Sequence, residues 1–263
     1  MSAPMLESAP ERMRSGSRVP LTRLINVELR KSYDTLAGRW LLIAIAAITA
    51  VVLLIFFLNA DADERTFQNF MGITGTPQAI LLPVLGVLLI TSEWSQRTAL
   101  VTFTMSPSRS KVLISKVIAA LMLGFAAVIV AVLFGSAFTA IGGSDDPWTS
   151  SGDIGLGTMI AHFGLFQIIN VMWGIGFGLL LLNSAAAIVA FFAVPIVISV
   201  LSNVWSAMDD IGPWIDLSMS SQYLFDPDGM TSTEWQHLLV GVLIWLGIPL
   251  VIGTIRLLRS EVK

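Results

Sequence analysis

Charge is clustered along this chain, and between the clusters lie apolar runs of about 17 residues or more, enough to cross a hydrocarbon layer about 30 Å thick. A run such as Leu41-Leu42-Ile43-Ala44-Ile45-Ala46 is apolar on every side. That excludes a β-barrel, whose strands alternate over about ten residues. A soluble chain of 263 residues would form one large or two small domains. Composition closes that route: 55% of residues are hydrophobic, 13% are charged and mean hydropathy is +0.79, whereas soluble domains carry about 25% charged residues. The fold class expected is an all-α polytopic membrane protein. With no cysteine in the chain, disulfides, thiolate zinc sites and cysteine nucleophiles are excluded.

Six spans can be drawn: Trp40–Leu58, Pro77–Thr91, Val117–Ile141, Met159–Leu182, Ser184–Val204 and Gln236–Ile255. The second is short if it begins at Pro77. Starting it near Phe70 lengthens it, with Gly72, Gly75 and Pro77 interrupting the helix. Of the 15 Lys and Arg, 7 precede the first span, 1 lies in the first loop, 4 lie in the second and 3 follow Arg256 inclusive. If both termini are cytoplasmic, only Arg65 falls outside, as the positive-inside rule demands. Acidic residues do the reverse: Asp61, Asp63, Glu64, Asp145, Asp146, Asp153, Asp209, Asp210, Asp216, Asp226, Asp228 and Glu234 all fall outside. The expectation is a multi-pass protein of the cytoplasmic membrane with both termini inside. Ala60-Asp61-Ala62 resembles a signal-cleavage site, but the run before it is longer than a usual signal core and begins only at Trp40, so it is read as a retained span.

Residues 1–18, rich in Ser, Pro and Arg, read as a disordered cytoplasmic tail. Residues 19–39 read as an amphipathic interfacial helix, 40–256 as the six-helix transmembrane domain and 257–263 as a cytoplasmic tail. At about 100° per residue, Leu21, Leu24, Ile25, Leu29 and Leu36 share one face, with Arg23, Arg30 and Asp34 opposite. With Arg30 and Lys31 beside a membrane, such a helix would lie in the cytoplasmic interface, either anchoring the first span or coupling it to a partner. The outer loop, residues 205–235, mixes acidic residues with Trp214, Ile215, Leu217, Met219, Tyr223, Leu224 and Phe225. That mixture suits short helices dipping into the outer interface, or an ordinary folded outer loop.

The most informative segment is the cytoplasmic loop at residues 92–116. Glu93-Trp94-Ser95-Gln96-Arg97-Thr98 leads into a semi-apolar stretch, Ala99 to Met105, too short to span. A Ser106-Pro107-Ser108 turn and a basic helix start follow. A solvated connector has no need of Val101, Phe103 and Met105, so this loop reads as a docking surface for another protein, with a short interfacial helix touching only lipid as the alternative. The order acidic-aromatic-x-x-x-Thr, then Ser-Pro-Ser-Arg-x-x-Val-Leu-x-x-Lys, resembles permease subunits of type-2 ATP-binding-cassette (ABC) exporters. Glu93, Trp94, Thr98, Pro107, Arg109 and Lys116 match the family pattern. Arg97 stands where the family commonly has Gly, which leaves the turn after Gln96 open. The resemblance implies two permease chains, identical or closely related, assembled with two copies of an ABC ATPase. The ATPases would bind ATP and Mg²⁺ and contact Glu93, Trp94, Arg97, Thr98, Phe103, Pro107 and Arg109, together with Arg30 and Lys31.

The chain contains no G-x-x-x-x-G-K-S/T phosphate loop. No enzyme activity, cofactor or metal is therefore expected in it, and its partners are the ATPase, a second permease and lipid, not nucleic acid. Gly174-x-Gly176-x-Gly178 lies inside the fourth span and reads as close helix packing. An intramembrane serine protease would need a Ser nucleophile in the fourth span, which has none. The centres of all six spans lack ionisable residues, which argues against a self-sufficient proton-coupled carrier. On the fourth span His162, Phe166, Asn170, Trp173 and Phe177 fall within about 80° of one helical face. With Pro195, Ser199, Ser202 and Asn203 on the fifth, they either line a path for an amphiphilic substrate (drug, antibiotic or lipid-like) or pack between helices. The reading reached is the membrane subunit of an ATP-driven exporter. A non-transporting scaffold or immunity-type protein, or a vitamin-type importer's substrate-binding subunit, are the alternatives.

Overall fold

The computed structural model describes residues 19–96, 98, 108–148, 152, 154–205 and 208–259, without the side chains of Asn203 and Asp209. Among the described residues there is no strand, and six helices are long and apolar enough to cross a membrane. The chain is a multi-pass helical membrane protein. Helix α1 (Leu21–Asp34) precedes the spans α2 (Leu36–Asn59), α3 (Phe67–Ser95), α4 (Arg109–Ile141), α5 (Leu156–Leu181) and α6 (Ser184–Val204). Two short helices, α7 (Met208–Ile215) and α8 (Leu217–Gln222), lead into the last span, α9 (Ser232–Arg259).

Helices α3 and α5 form the centre: 61% of each apolar window is buried, against 17% for α2 and α6 at the periphery. Small residues allow this. A Cβ on Gly174 would lie 2.2 Å from the Pro83 carbonyl oxygen, so α5 can sit on α3 only without a side chain there. Gly176 and Gly178 face Pro249 and Ile90, and the glycine stripe is thus a packing surface, as its setting in a span implies.

The second span differs from its sequence reading. Helix α3 runs unbroken from Phe67 through Gly72, Gly75, Pro77 and Pro83. Both prolines are buried, and membrane helices tolerate them because neighbouring helices surround the interrupted turns. The last span is likewise longer than drawn. It carries a wider-wound π segment at Leu243–Gly247, a device that re-aims side chains without ending the helix.

The first helix ends earlier than its periodicity implies. Thr35 is extended (φ −75°, ψ 141°) and accepts a hydrogen bond from Gly38 N at 3.3 Å, capping α2. Leu36, which the spacing puts on the apolar face of α1, therefore begins the span. The elbow is tight: a Cβ on Gly38 would lie 2.1 Å from the Ser32 carbonyl oxygen.

Midway along the bundle, Gln167 Nε2 on α5 donates to Gln78 Oε1 on α3 at 2.8 Å, and Gln78 Nε2 donates to the Ala127 carbonyl of α4 at 3.3 Å. Both glutamines are buried, and they tie three spans together inside the bundle.

Two outcomes test this core. Gly174→Val should lower the thermal stability of the purified protein by at least about 1–3 kcal/mol, because the obstacle is backbone, whereas Gly164→Ala, which meets nothing within 4 Å, should not. Gln78→Leu alone should cost about 1–2 kcal/mol by stranding Gln167, and Gln78→Leu/Gln167→Leu should recover most of it, read from denaturant unfolding in detergent.

Candidate functional site

Lys and Arg gather where α1, the end of α3, the start of α4 and the end of α9 meet; we call this the basic end. Its centre is a quartet of opposite charges. Lys116 Nζ, two turns into α4, lies 2.8 Å from Glu28 Oε2 on α1 and 3.2 Å from Glu93 Oε1 near the end of α3. It also donates to the Leu89 carbonyl at 3.0 Å. Lys31 Nζ on α1 lies 2.8 Å from Glu28 Oε1 and 2.7 Å from Glu93 Oε1. The side chains of Lys116, Glu28 and Glu93 are 5–7% exposed, and that of Lys31 is 36% exposed.

The four charges cancel, and each buried ion has at least two partners, which is the condition under which burial of charge is tolerated. Burial of Lys31 works to lower its pKa, but the Glu28 charge and hydrogen bonds to Glu28 and Glu93 outweigh it, holding the ammonium above its ordinary 10.5. A raised lysine pKa means that its contribution to stability is complete below about 10.5 and is lost only as pH rises through the folded value.

The quartet brings together Lys31 and Glu93 from the sequence-predicted contact set. The rest of that set is dispersed. Trp94 is half-buried against the core cluster that contains Leu113, Leu179 and Leu257. Thr98 closes the end of α3, its N–H donating to the Glu93 carbonyl at 2.8 Å. Arg109 caps α9, donating to the Leu257 and Leu258 carbonyls at 3.0 and 3.3 Å. Arg30 is exposed, 3.8 Å from Asp34. Arg97, Phe103 and Pro107 lie outside the described residues.

The face of α5 proposed as a cavity wall packs within the chain. Trp173 and Phe177 are buried in one cluster with Phe191 and Leu246. Trp173 meets Phe191 edge-on at 5.1 Å, and Phe177 stacks on Trp245 at 6.4 Å. Asn170 donates to the Phe166 carbonyl at 2.9 Å, and Phe166 packs edge-on against Phe225 at 4.8 Å. His162 Nδ1 lies 3.2 Å from the Leu224 carbonyl. Ser199 on α6 is exposed; the Asn203 side chain lies outside the described residues. Among the described residues no group of His, Asp and Glu is placed to hold a metal ion.

Sequence reasoning missed Glu28, and it missed Gln78 and Gln167. The signal for Glu28 was its i,i+3 spacing to Lys31, which puts both on one side of α1. For the glutamines the signal was two amides inside apolar spans.

Beside the quartet a cleft of about 860 Å³ opens between the α1–α2 elbow and the end of α3. Leu36, Trp40 and Leu88 line its apolar part, and Lys31, Glu93 and Ser92 its polar part. Ser184 closes the far side: its hydroxyl is 2.7 Å from Thr91 Oγ1 and 2.8 Å from Ser95 Oγ.

No protein-family model matches the chain, and no curated protein matches it at a meaningful level of similarity. The functional reading therefore rests on the residues themselves.

Removing one buried charge should be far worse than removing a pair. Lys116→Met leaves two carboxylates facing one ammonium and should cost about 3–5 kcal/mol. Lys116→Met/Glu28→Gln leaves the neutral Lys31–Glu93 pair and should recover most of that loss, measured by thermal unfolding at pH 7.

Proposed function

We propose that this chain is the membrane-spanning permease subunit of an ATP-driven exporter of the type-2 ABC class. The basic end is cytoplasmic, as are both termini, and α1 lies along the cytoplasmic interface. Two such chains, identical or closely related, assemble with two ATPases that bind ATP and Mg²⁺, and substrate moves by alternating access.

The observation that carries this reading is the quartet. It joins α1, the last turn of α3 and the second turn of α4 through buried ion pairs. In the sequence, α3 and α4 flank the segment 97–107, which holds the semi-apolar stretch too short to span. A force applied to that segment enters the bundle through Glu93 and Lys116, and the quartet carries it to α1. The three helix ends then move as one rigid body, the condition for driving a packed bundle between two discrete arrangements. A phosphate loop is absent from the sequence, so ATP hydrolysis falls to the partner.

The test is copurification from native membranes. An ATPase should be recovered in equal amount with the full chain, and its activity should rise on binding. Arg97→Glu/Phe103→Ala should abolish both, with the melting temperature measured alongside and a shift of at most about 1 °C marking the variant as folded. Reproducible recovery of the chain without an ATPase, or undiminished stimulation by the double variant, would reject the reading and favour a scaffold.

A further inference from the structure

We propose that the cleft at the basic end is a binding site for a phospholipid whose head carries a primary amine beside its phosphate. The inference is independent of any ATPase partner.

Lys116 spends its three protons on Glu28, Glu93 and the Leu89 carbonyl, and both Glu28 oxygens are taken. Two valences remain. Lys31 uses two of its three donors, on Glu28 Oε1 and Glu93 Oε1. Glu93 Oε2 accepts nothing among the described residues, and it is not one of the sealed polar atoms. The quartet thus offers one ammonium proton and one carboxylate oxygen, and both residues line the cleft. A head with an anion and an N–H cation satisfies both at once: phosphate on Lys31, ammonium on Glu93.

Shape and position agree. Leu36, Trp40 and Leu88 continue the wall away from the charges, which suits the glycerol and first methylenes of an acyl chain. Trp40 is 62% exposed at the start of the first span, the position in which indole rings settle at a membrane–water boundary. The cleft volume of about 860 Å³ falls in the range of about 300–1,000 Å³ typical of small-molecule sites. The occupant comes from the leaflet at the basic end, since the polar part of the cleft lies beside Lys31 and the helix ends.

Head chemistry makes the idea testable. Phosphatidylethanolamine has N–H donors, phosphatidylcholine has a quaternary cation without them, and phosphatidylglycerol has no cation. The purified full chain, exchanged into mixed bilayer discs holding equal amounts of the three and then released for native mass spectrometry, should retain phosphatidylethanolamine about tenfold over each of the others, the worth of one charge-assisted hydrogen bond. Leu88→Trp and Ala37→Phe narrow the cleft from opposite walls without touching the quartet, and each should abolish the preference. Both variants are checked for an unchanged melting temperature, so that one decides if the other misfolds. Equal retention of the three lipids, preference for either competitor, no retained lipid, or a preference unaffected in a folded variant would overturn the proposal.

Discussion

Two carboxylates and two ammoniums at the basic end hold the rest of the protein in register. Glu28, Lys31, Glu93 and Lys116 belong to three helices, and three of the four side chains are almost wholly buried. Charges are left in such surroundings only when each is matched, and a single unmatched member is strongly destabilising. The quartet therefore acts as a positional lock. It fixes where α1 lies against the bundle, and the Gly38 elbow transmits that placement to the first span. Arg109 extends the same logic by covering the last carbonyls of α9, as cations do at helix C-termini.

Elsewhere the bundle coheres by shape, because lipid tails are as apolar as leucine and offer helices no hydrophobic reason to associate. The close approach of α5 to α3 at Gly174 and the glutamine pair midway along the bundle replace that drive with contact and hydrogen bonding. At the opposite end, the single basic residue of the first loop is structural. Arg65 donates to the Ala60 and Gly142 carbonyls and lies over the Phe57 ring at 4.8 Å. The helices α7 and α8 are fastened to the core by Trp245, whose indole donates to the Ile215 carbonyl at 2.6 Å from within the π segment.

The spans were legible because a bilayer imposes a length on apolar runs, and Ser184–Val204 was readable to the residue for that reason. The ends of other spans were not, since helices α4 and α9 continue past the apolar run into charged turns that composition reads as loop. Pro77 misled for a related reason: proline breaks an isolated helix, yet here neighbours enclose it. The short helices between α6 and α9 were visible in the mixture of aromatic and acidic residues there. The quartet was only half legible. Lys31 and Glu93 stood out as charges beside a membrane, but their pairing spans 62 positions and depends on how α1 folds back, which no local pattern encodes. The aromatic face of α5 shows the converse: helical spacing puts Trp173 and Phe177 on one side, and only the tertiary partners Phe191 and Trp245 reveal what that side meets.

The chain has no native cysteine, so one introduced thiol reports its surroundings without interference. The decisive measurement is labelling of Phe103→Cys by a membrane-impermeant thiol reagent in oriented vesicles, with and without ATPase prepared from the same membranes. The account predicts reaction from the cytoplasmic side alone, and protection once the ATPase is bound. Reaction from the outer face, or labelling that the ATPase leaves unchanged, would contradict it.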